Sequence, residues 1–256
     1  MTITTRPNGS LYTKIENKIA TVEFGHPQSN SFPSELLDRL TKEINSLSEN
    51  NEVNLILLKS EGEGAFCAGA SFDELLAVND SETGKKFFSG FANVINAMRK
   101  CSKIIVGRIH GKAVGGGVGI ISACDYALAS VDGAVKLSEL AIGIGPFVIE
   151  PAVSRKIGKG AMSEMTLAPH SWKNAYWAKN KGLYAEVYES VKDLDKELEI
   201  FCSKLTECNP EALSEMKKVI WEGTENWDTL LYERAEISGR LVLSDFTKEA
   251  LSKFRK

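Results

Sequence analysis

The sequence is poor in the residues that most often announce catalysis or metal binding. Only His26, His110 and His170 occur in 256 residues, and none stands beside Ser and Asp partners, so a histidine-based triad or metal cluster has little to build on. The five cysteines (Cys67, Cys101, Cys124, Cys202, Cys208) are odd in number, scattered and without a C-x-x-C pair. That pattern argues against a disulfide framework or a zinc site and reads as reduced core thiols. There is no G-x-x-x-x-G-K-[ST] phosphate loop and no proper G-x-G-x-x-G. Long apolar runs are missing too: the longest, around Val114 to Ala123, is too short and glycine-rich to span a bilayer, and MTITTRPNGS lacks the apolar core of a signal peptide. A cytoplasmic protein is the expectation. Nor is positive charge in excess. The net charge of −3, the pI near 5.8 and the lack of a Lys/Arg cluster argue against nucleic acid or a membrane as partner.

What is present is an ordinary globular composition, 43% hydrophobic and 25% charged, long enough to bury a full core. Alternation in LYTKIE and KIATVEF predicts two strands, and Leu36, Leu37, Leu40, Ile44 and Leu47 keep helical spacing after them. VNLILLKSE reads as a buried strand. After a glycine-rich loop, Ser71 and Glu74 match a capping box that opens the helix SFDELL. A further helix over Thr83–Lys100 carries Phe87, Phe88, Phe91, Val94, Ile95 and Met98 on one stripe, read as core, and leads into the strand KIIVGRIHG. VGIISAC reads as a helix start, and YALAS and AVKLSEL as short strands. Beyond Pro146 only LYAEVY looks extended, with amphipathic helices at about 147–158, 160–181, 190–207, 210–222 and 226–241. The fold class is α/β with a helical C-terminal region.

Two glycine-rich loops carry the chemistry. GEGAFCAGASFDEL places Ala68, Gly69 and Ala70 before a capped helix, and GKAVGGGVGIISAC places Gly115, Gly116 and Gly117 before another. The first N–H groups of a helix lack intrahelical partners and sit at its positive end, which suits a phosphate or a carbonyl oxygen gaining charge. Two such loops together could form an oxyanion hole; for either alone, tight strand–helix packing is an equal explanation. In AVKLSELAIGIGPF, an extended Val135–Leu140 sets Glu139 on the same face as Val135 and Leu137. A carboxyl there is desolvated and titrates nearer neutrality, as a proton shuttle requires; the alternative is a strand-end Glu turned to solvent.

In order and spacing these segments resemble the crotonase family, the enoyl-CoA hydratase/isomerase superfamily, over nearly the whole chain. EFGHPQSNSF is similar to its early strand-turn, GAFCAGAS to its F-x-A-G-A-D loop, GKAVGGGVGIISACDYALAS to its G-x-A-x-G-G-G-x-E-x-x-x-x-C-D segment, and LSELAIGIGP to its P-E-x-x-x-G-x-x-P element. The likeness is nearest to enoyl-CoA isomerases and methylglutaconyl-CoA-type hydratases. It implies a spiral of repeated β-β-α turns, with residues 1–190 as the spiral core and 191–256 as a helical trimerisation region, in a homotrimer or dimer of trimers.

The resemblance further implies an acyl-CoA thioester as substrate, with no cofactor beyond the coenzyme A that the substrate carries. It assigns the N–H groups of Ala70 and Gly116 to the oxyanion hole, Ala68 to the adenine part of coenzyme A, and Glu139 to acid/base work. Gly69 and Gly115 line the substrate. Three departures stand out: Gly119 occupies the place of the hydratases' first glutamate, Ser71 replaces the D of A-G-A-D, and the bulkier PFVIEPAV brings Glu150. Glu150 is a candidate second carboxylate or a first-turn helix acid favoured by the dipole. Loss of the first glutamate leans toward isomerisation of an enoyl-CoA by Glu139 alone. Hydration, with Glu139 orienting water alone or with Glu150, is the alternative, and a non-catalytic acyl-CoA-binding paralogue is a third reading.

Overall fold

In the computed structural model, residues 8–253 are described. The chain starts with a hairpin: β1 (Ser10–Glu16) and β2 (Ile19–Gly25) pair antiparallel. They turn on Asn17 and Lys18, both at positive φ, which matches the twist of the flanking strands. Helix α1 (Ser34–Glu49) buries Leu36, Leu37, Leu40, Ile44 and Leu47, the residues with helical spacing, and returns the chain to β3 (Leu55–Ser60), parallel to β2. A parallel neighbour needs such a crossover, and the pattern repeats. Helices α2 (Phe72–Ala77) and α3 (Ser81–Lys100) precede β4 (Ile104–Ile109). Strand β5 (Ala113–Val114) and helix α4 (Gly116–Ala123) precede β6 (Tyr126–Ser130) and β7 (Val135–Lys136). Helices α5 (Glu150–Leu167) and α6 (Ala175–Asn180) precede β8 (Glu186–Tyr188). The six-stranded sheet has the order β1-β2-β3-β4-β6-β8, parallel after its first pair.

A second, narrower ladder runs alongside. It consists of the bridges Phe32–Ala70 and Cys67–Ala113, the β5–β7 pair, and Val135–Lys173. Each turn of chain thus contributes a strand to the main sheet, a short extended rung to the ladder, and helix, which is the β-β-α spiral expected from the resemblance. The candidate glycine loops lie directly after rungs of this ladder.

Two expected elements differ. The strand Val135–Leu140 stops at Lys136, and Glu139–Ile142 form a 3-10 turn closed by Gly143 in the left-handed region. The break expected between 158 and 160 falls at the non-helical Gly158 inside α5, but the helix expected over 160–181 stops at Leu167, and Lys173 is held extended as the last rung by two hydrogen bonds with Val135 (2.8 and 2.9 Å) before a separate helix starts at Ala175. Of the five cysteines four are buried, whereas Cys208 is exposed and is not a core thiol.

The main core lies between the sheet and α1, α3, α4 and α5. On the other face of the sheet, α7 (Val191–Thr206) sets Leu194, Leu198 and Cys202 against Leu55, Ile104, Val106 and Leu128. Helices α8 (Pro210–Ile220), α9 (Trp227–Leu241) and α10 (Asp245–Ser252) complete the chain. The helices beyond residue 190 pack closely on the rest of the chain. Trp227, Leu231 and Ala235 belong to the main core, α9 lies along α3, and Lys217 of α8 makes a buried ion pair with Asp125 (2.9 Å). Asp125 also accepts from Trp221 Nε1 and from the Ile105 amide. No helix among the described residues is long and apolar enough to cross a membrane.

Candidate active site

The two glycine loops meet. Val114 N–H donates to Cys67 O (2.9 Å) and Cys67 N–H to Lys112 O (3.2 Å), which fastens the first loop to the second. Phe32 N–H donates to Gly69 O (2.8 Å) and Ser71 N–H to Phe32 O (2.9 Å). That bridge uses the groups flanking Ala70, so in extended chain the Ala70 N–H points the opposite way. Gly115, at φ 52° and ψ −118°, turns the chain so that Gly116 opens α4, where an amide has no intrahelical acceptor. Among the described residues neither the Ala70 nor the Gly116 amide has a hydrogen-bond acceptor. Two free donors on adjacent loops are the arrangement that stabilises an oxygen acquiring negative charge.

Both loops line one cavity of about 170 Å3 together with Glu139. The 3-10 turn brings this carboxyl beside Gly115: a Cβ added there would lie 2.9 Å from Glu139 Oε1. Glu139 Oε2 is sealed from solvent and has no partner among the described residues. Desolvation pushes the carboxyl from 4.5 up to about 7, partly opposed by the backbone of Glu139 and Ser138. A group with that value exchanges protons at neutral pH. The strand alternation that first singled out Glu139 is therefore not what buries it; the tight turn after β7 does so.

The remaining walls are apolar. Phe72, Leu75, Phe87, Phe88, Phe91, Ile142, Ile144 and Phe147 face the cavity, with Ser238 from α9. The Phe87–Phe88–Phe91 stripe, read from sequence as core alone, thus has a second use. Phe91 lies over Gly116, where a Cβ would fall 2.3 Å from its ring.

Ala68, Gly69, Ala70, Gly115, Gly116 and Glu139 are brought together as expected. Gly119 and Glu150 are not. Gly119 lies behind Ile149, whose Cγ2 is 2.4 Å from where a Gly119 Cβ would be, so it does not reach the cavity. Glu150 opens α5, accepts from Ser154 Oγ (2.6 Å) and faces Arg234 in a neighbouring cleft beyond Pro146 and Phe147. It is a helix-start acid and no second carboxylate of this cavity. Ser71 caps α2 by accepting from the Glu74 amide (3.3 Å), but the Glu74 carboxylate reaches Ser34 instead of returning to Ser71. Sequence reasoning flagged the bulk of PFVIEPAV but not the contact of its Ile149 with Gly119, and it missed Ser238, which comes from a helix far along the chain.

Fold and site together define an α/β spiral protein with paired backbone donors and one desolvated carboxyl in an apolar cavity, a setting that can hold an oxygen acquiring charge beside a group able to move a proton. The family model described as enoyl-CoA hydratase/isomerase matches residues 14–254, and the chain belongs to that family. It is 28% identical over 242 residues to the short-chain-enoyl-CoA hydratase of Clostridium acetobutylicum, covering 93% of this chain and 92% of that one. It is 26% identical over 227 residues to the peroxisomal Delta(3,5)-Delta(2,4)-dienoyl-CoA isomerase of Arabidopsis thaliana, covering 82% and 80%. The crystal structure of an enoyl-CoA hydratase from Bacillus halodurans superposes with a TM-score of 0.87 at 20% identity, over 95% of this chain and 99% of the other.

Proposed function

We propose that this protein moves a double bond of an enoyl-CoA between the 3 and 2 positions, with Glu139 as the only acid/base. One observation carries this reading: among the described residues lining the cavity, Glu139 is the only titratable side chain. Ile149 over Gly119 supports it by filling the place from which a second carboxylate would hold water. The thioester oxygen sits between the Ala70 and Gly116 amides. The Glu139 carboxylate takes a proton from C2, and the electrons pass into a dienolate whose oxygen the two donors stabilise. The resulting acid then returns the proton to C4, leaving the double bond between C2 and C3. No water is consumed, and Glu139 ends as it began.

Hydration is the second reading. Glu139 Oε2 has no hydrogen-bond partner among the described residues, so its accepting capacity is unused, and the Clostridium acetobutylicum relative is named a hydratase. Mass spectrometry of products from matched 2-enoyl and 3-enoyl-CoA thioesters separates the two. The expected result is interconversion at constant mass; a product heavier by one water as the main species refutes isomerisation.

A further inference from the structure

One wall of the cavity is not part of the main core. It belongs to a satellite cluster in which Leu75 of α2, Phe87 of α3 and Ile144 pack with Val242 and Leu251, bordered by Ala70, Phe72, Phe88, Ile142 and Leu243. Leu75, Phe87 and Ile144 face the cavity, whereas Val242, just past α9, and Leu251, on α10, stand behind them. Resting on the acyl-CoA reading above, we propose that the cavity selects an uncharged acyl group of about six carbons, and that α10 sets this length by backing the wall through Leu251.

Size is the first argument. An apolar cavity of roughly 150 Å3 holds one benzene, and this one measures about 170 Å3. Charge is the second. Among the described lining residues there is no Lys, Arg or His, and the one ionisable group is Glu139. A carboxylate at the distal end of an acyl chain would be buried without a cation, in the same cavity as another carboxyl. The third argument is how α10 is fixed. Ser244 caps it by accepting from the Thr247 amide (3.3 Å), and Thr247 and Phe246 press on Gly143, where a Cβ would lie 2.5 Å from each. One short helix therefore grips both the turn that carries Glu139 and one apolar wall of the cavity. Because Val242 and Leu251 belong to this cluster and not to the main core, trimming them from behind makes room beside the cavity while the main core's own buried residues stay in place.

The test is calorimetric binding of free CoA and of saturated butyryl-, hexanoyl-, dodecanoyl- and glutaryl-CoA, none of which can react. Affinity rises about fifteen-fold from butyryl to hexanoyl, following about 0.8 kcal/mol for each buried methylene. Dodecanoyl-CoA binds at least about ten-fold more weakly than hexanoyl-CoA, because overfilling a packed wall strains it. Glutaryl-CoA is weaker than hexanoyl-CoA by a similar factor for want of a cation. Leu251→Ala brings dodecanoyl-CoA to within about three-fold of hexanoyl-CoA, with free CoA and hexanoyl-CoA unchanged, by relieving that strain. Val242→Ala provides the same readout if the first variant does not fold. Equal binding of dodecanoyl- or glutaryl-CoA and hexanoyl-CoA by the wild type overturns the proposal, as does a uniform weakening of all ligands in both variants. If butyryl- and hexanoyl-CoA bind no better than CoA, it is the acyl-CoA reading that fails.

Discussion

Replacing Glu139 by glutamine separates a chemical effect from an energetic one. Burial raises this carboxyl from 4.5 to about 7, so between those values the folded chain holds a proton that the unfolded chain has released. Stability from this group is fully present below about 4.5, declines as pH rises, and is fully lost above about 7. Ionisation then costs the wild-type fold about 3 kcal/mol. Glutamine keeps the shape and cannot ionise. For a chain of this length about 3 kcal/mol corresponds to about 6 °C in Tm. The variant should therefore melt about 6 °C higher than wild type at pH 8, with the difference shrinking to nothing by about pH 4.5. Turnover should fall by a factor of about 10²–10⁴ or more while acyl-CoA binding survives. The assay is thermal unfolding of both proteins from pH 8 down to about 4, beside enoyl-CoA turnover. A Tm difference that does not vary with pH, or a variant that melts lower at pH 8, would refute the desolvated carboxylate. Unchanged turnover would refute its chemical role.

Other outcomes follow from the same structure. kcat/KM for a 3-enoyl-CoA should rise with pH through about 7, as the base form of Glu139 accumulates; a flat profile from pH 6 to 8 contradicts this. Gly116→Ala should lower kcat by pushing Phe91 off the donor, and Gly116→Ala/Phe91→Ala should recover part of it; additive losses in the double variant would show that the two do not meet. Lys217→Met should destabilise by about 3–5 kcal/mol, seen in denaturant unfolding, because it strands buried Asp125 without its cation. His110 is buried with neither ring nitrogen partnered among the described residues, and desolvation, with Arg108 nearby, lowers it from 6.5 to about 4. Its contribution to stability is present above 6.5 and lost as pH falls through 4, so His110→Phe should blunt acid unfolding in that window.

Much of the fold is legible because its signals are local. The helical spacing in α1, the alternation in β2 and the Ser71 cap are all realised, whereas β1 forms its strand with both faces largely exposed beyond Leu11, as an edge strand can. The order of glycine loops locates Ala70 and Gly116 for the same reason: each loop sits between a rung and a helix within a few residues. Glu139 is found although its local geometry is misread, since a 3-10 turn of four residues leaves no periodic trace. Lys173 breaks an expected helix because its partner, Val135, lies 38 positions earlier. Ser238 and Leu251 reach the site or its wall by long-range packing alone, and their neighbours in sequence give no hint of it, whereas Ile149 lies in the PFVIEPAV stretch whose bulk stood out but whose contact with Gly119 did not.

The contact of Ile149 with Gly119 also bears on history. A lineage that now substituted glutamate at position 119 would meet the Ile149 side chain 2.4 Å from the new Cβ and would lose stability to overpacking, typically about 1–3 kcal/mol. Trimming Ile149 first would leave a void and also destabilise, by about 2–5 kcal/mol for Ile→Ala. Either first step is penalised before the second carboxylate can act. The absence of that carboxylate is thus held in place by packing, a ratchet that a single substitution does not release.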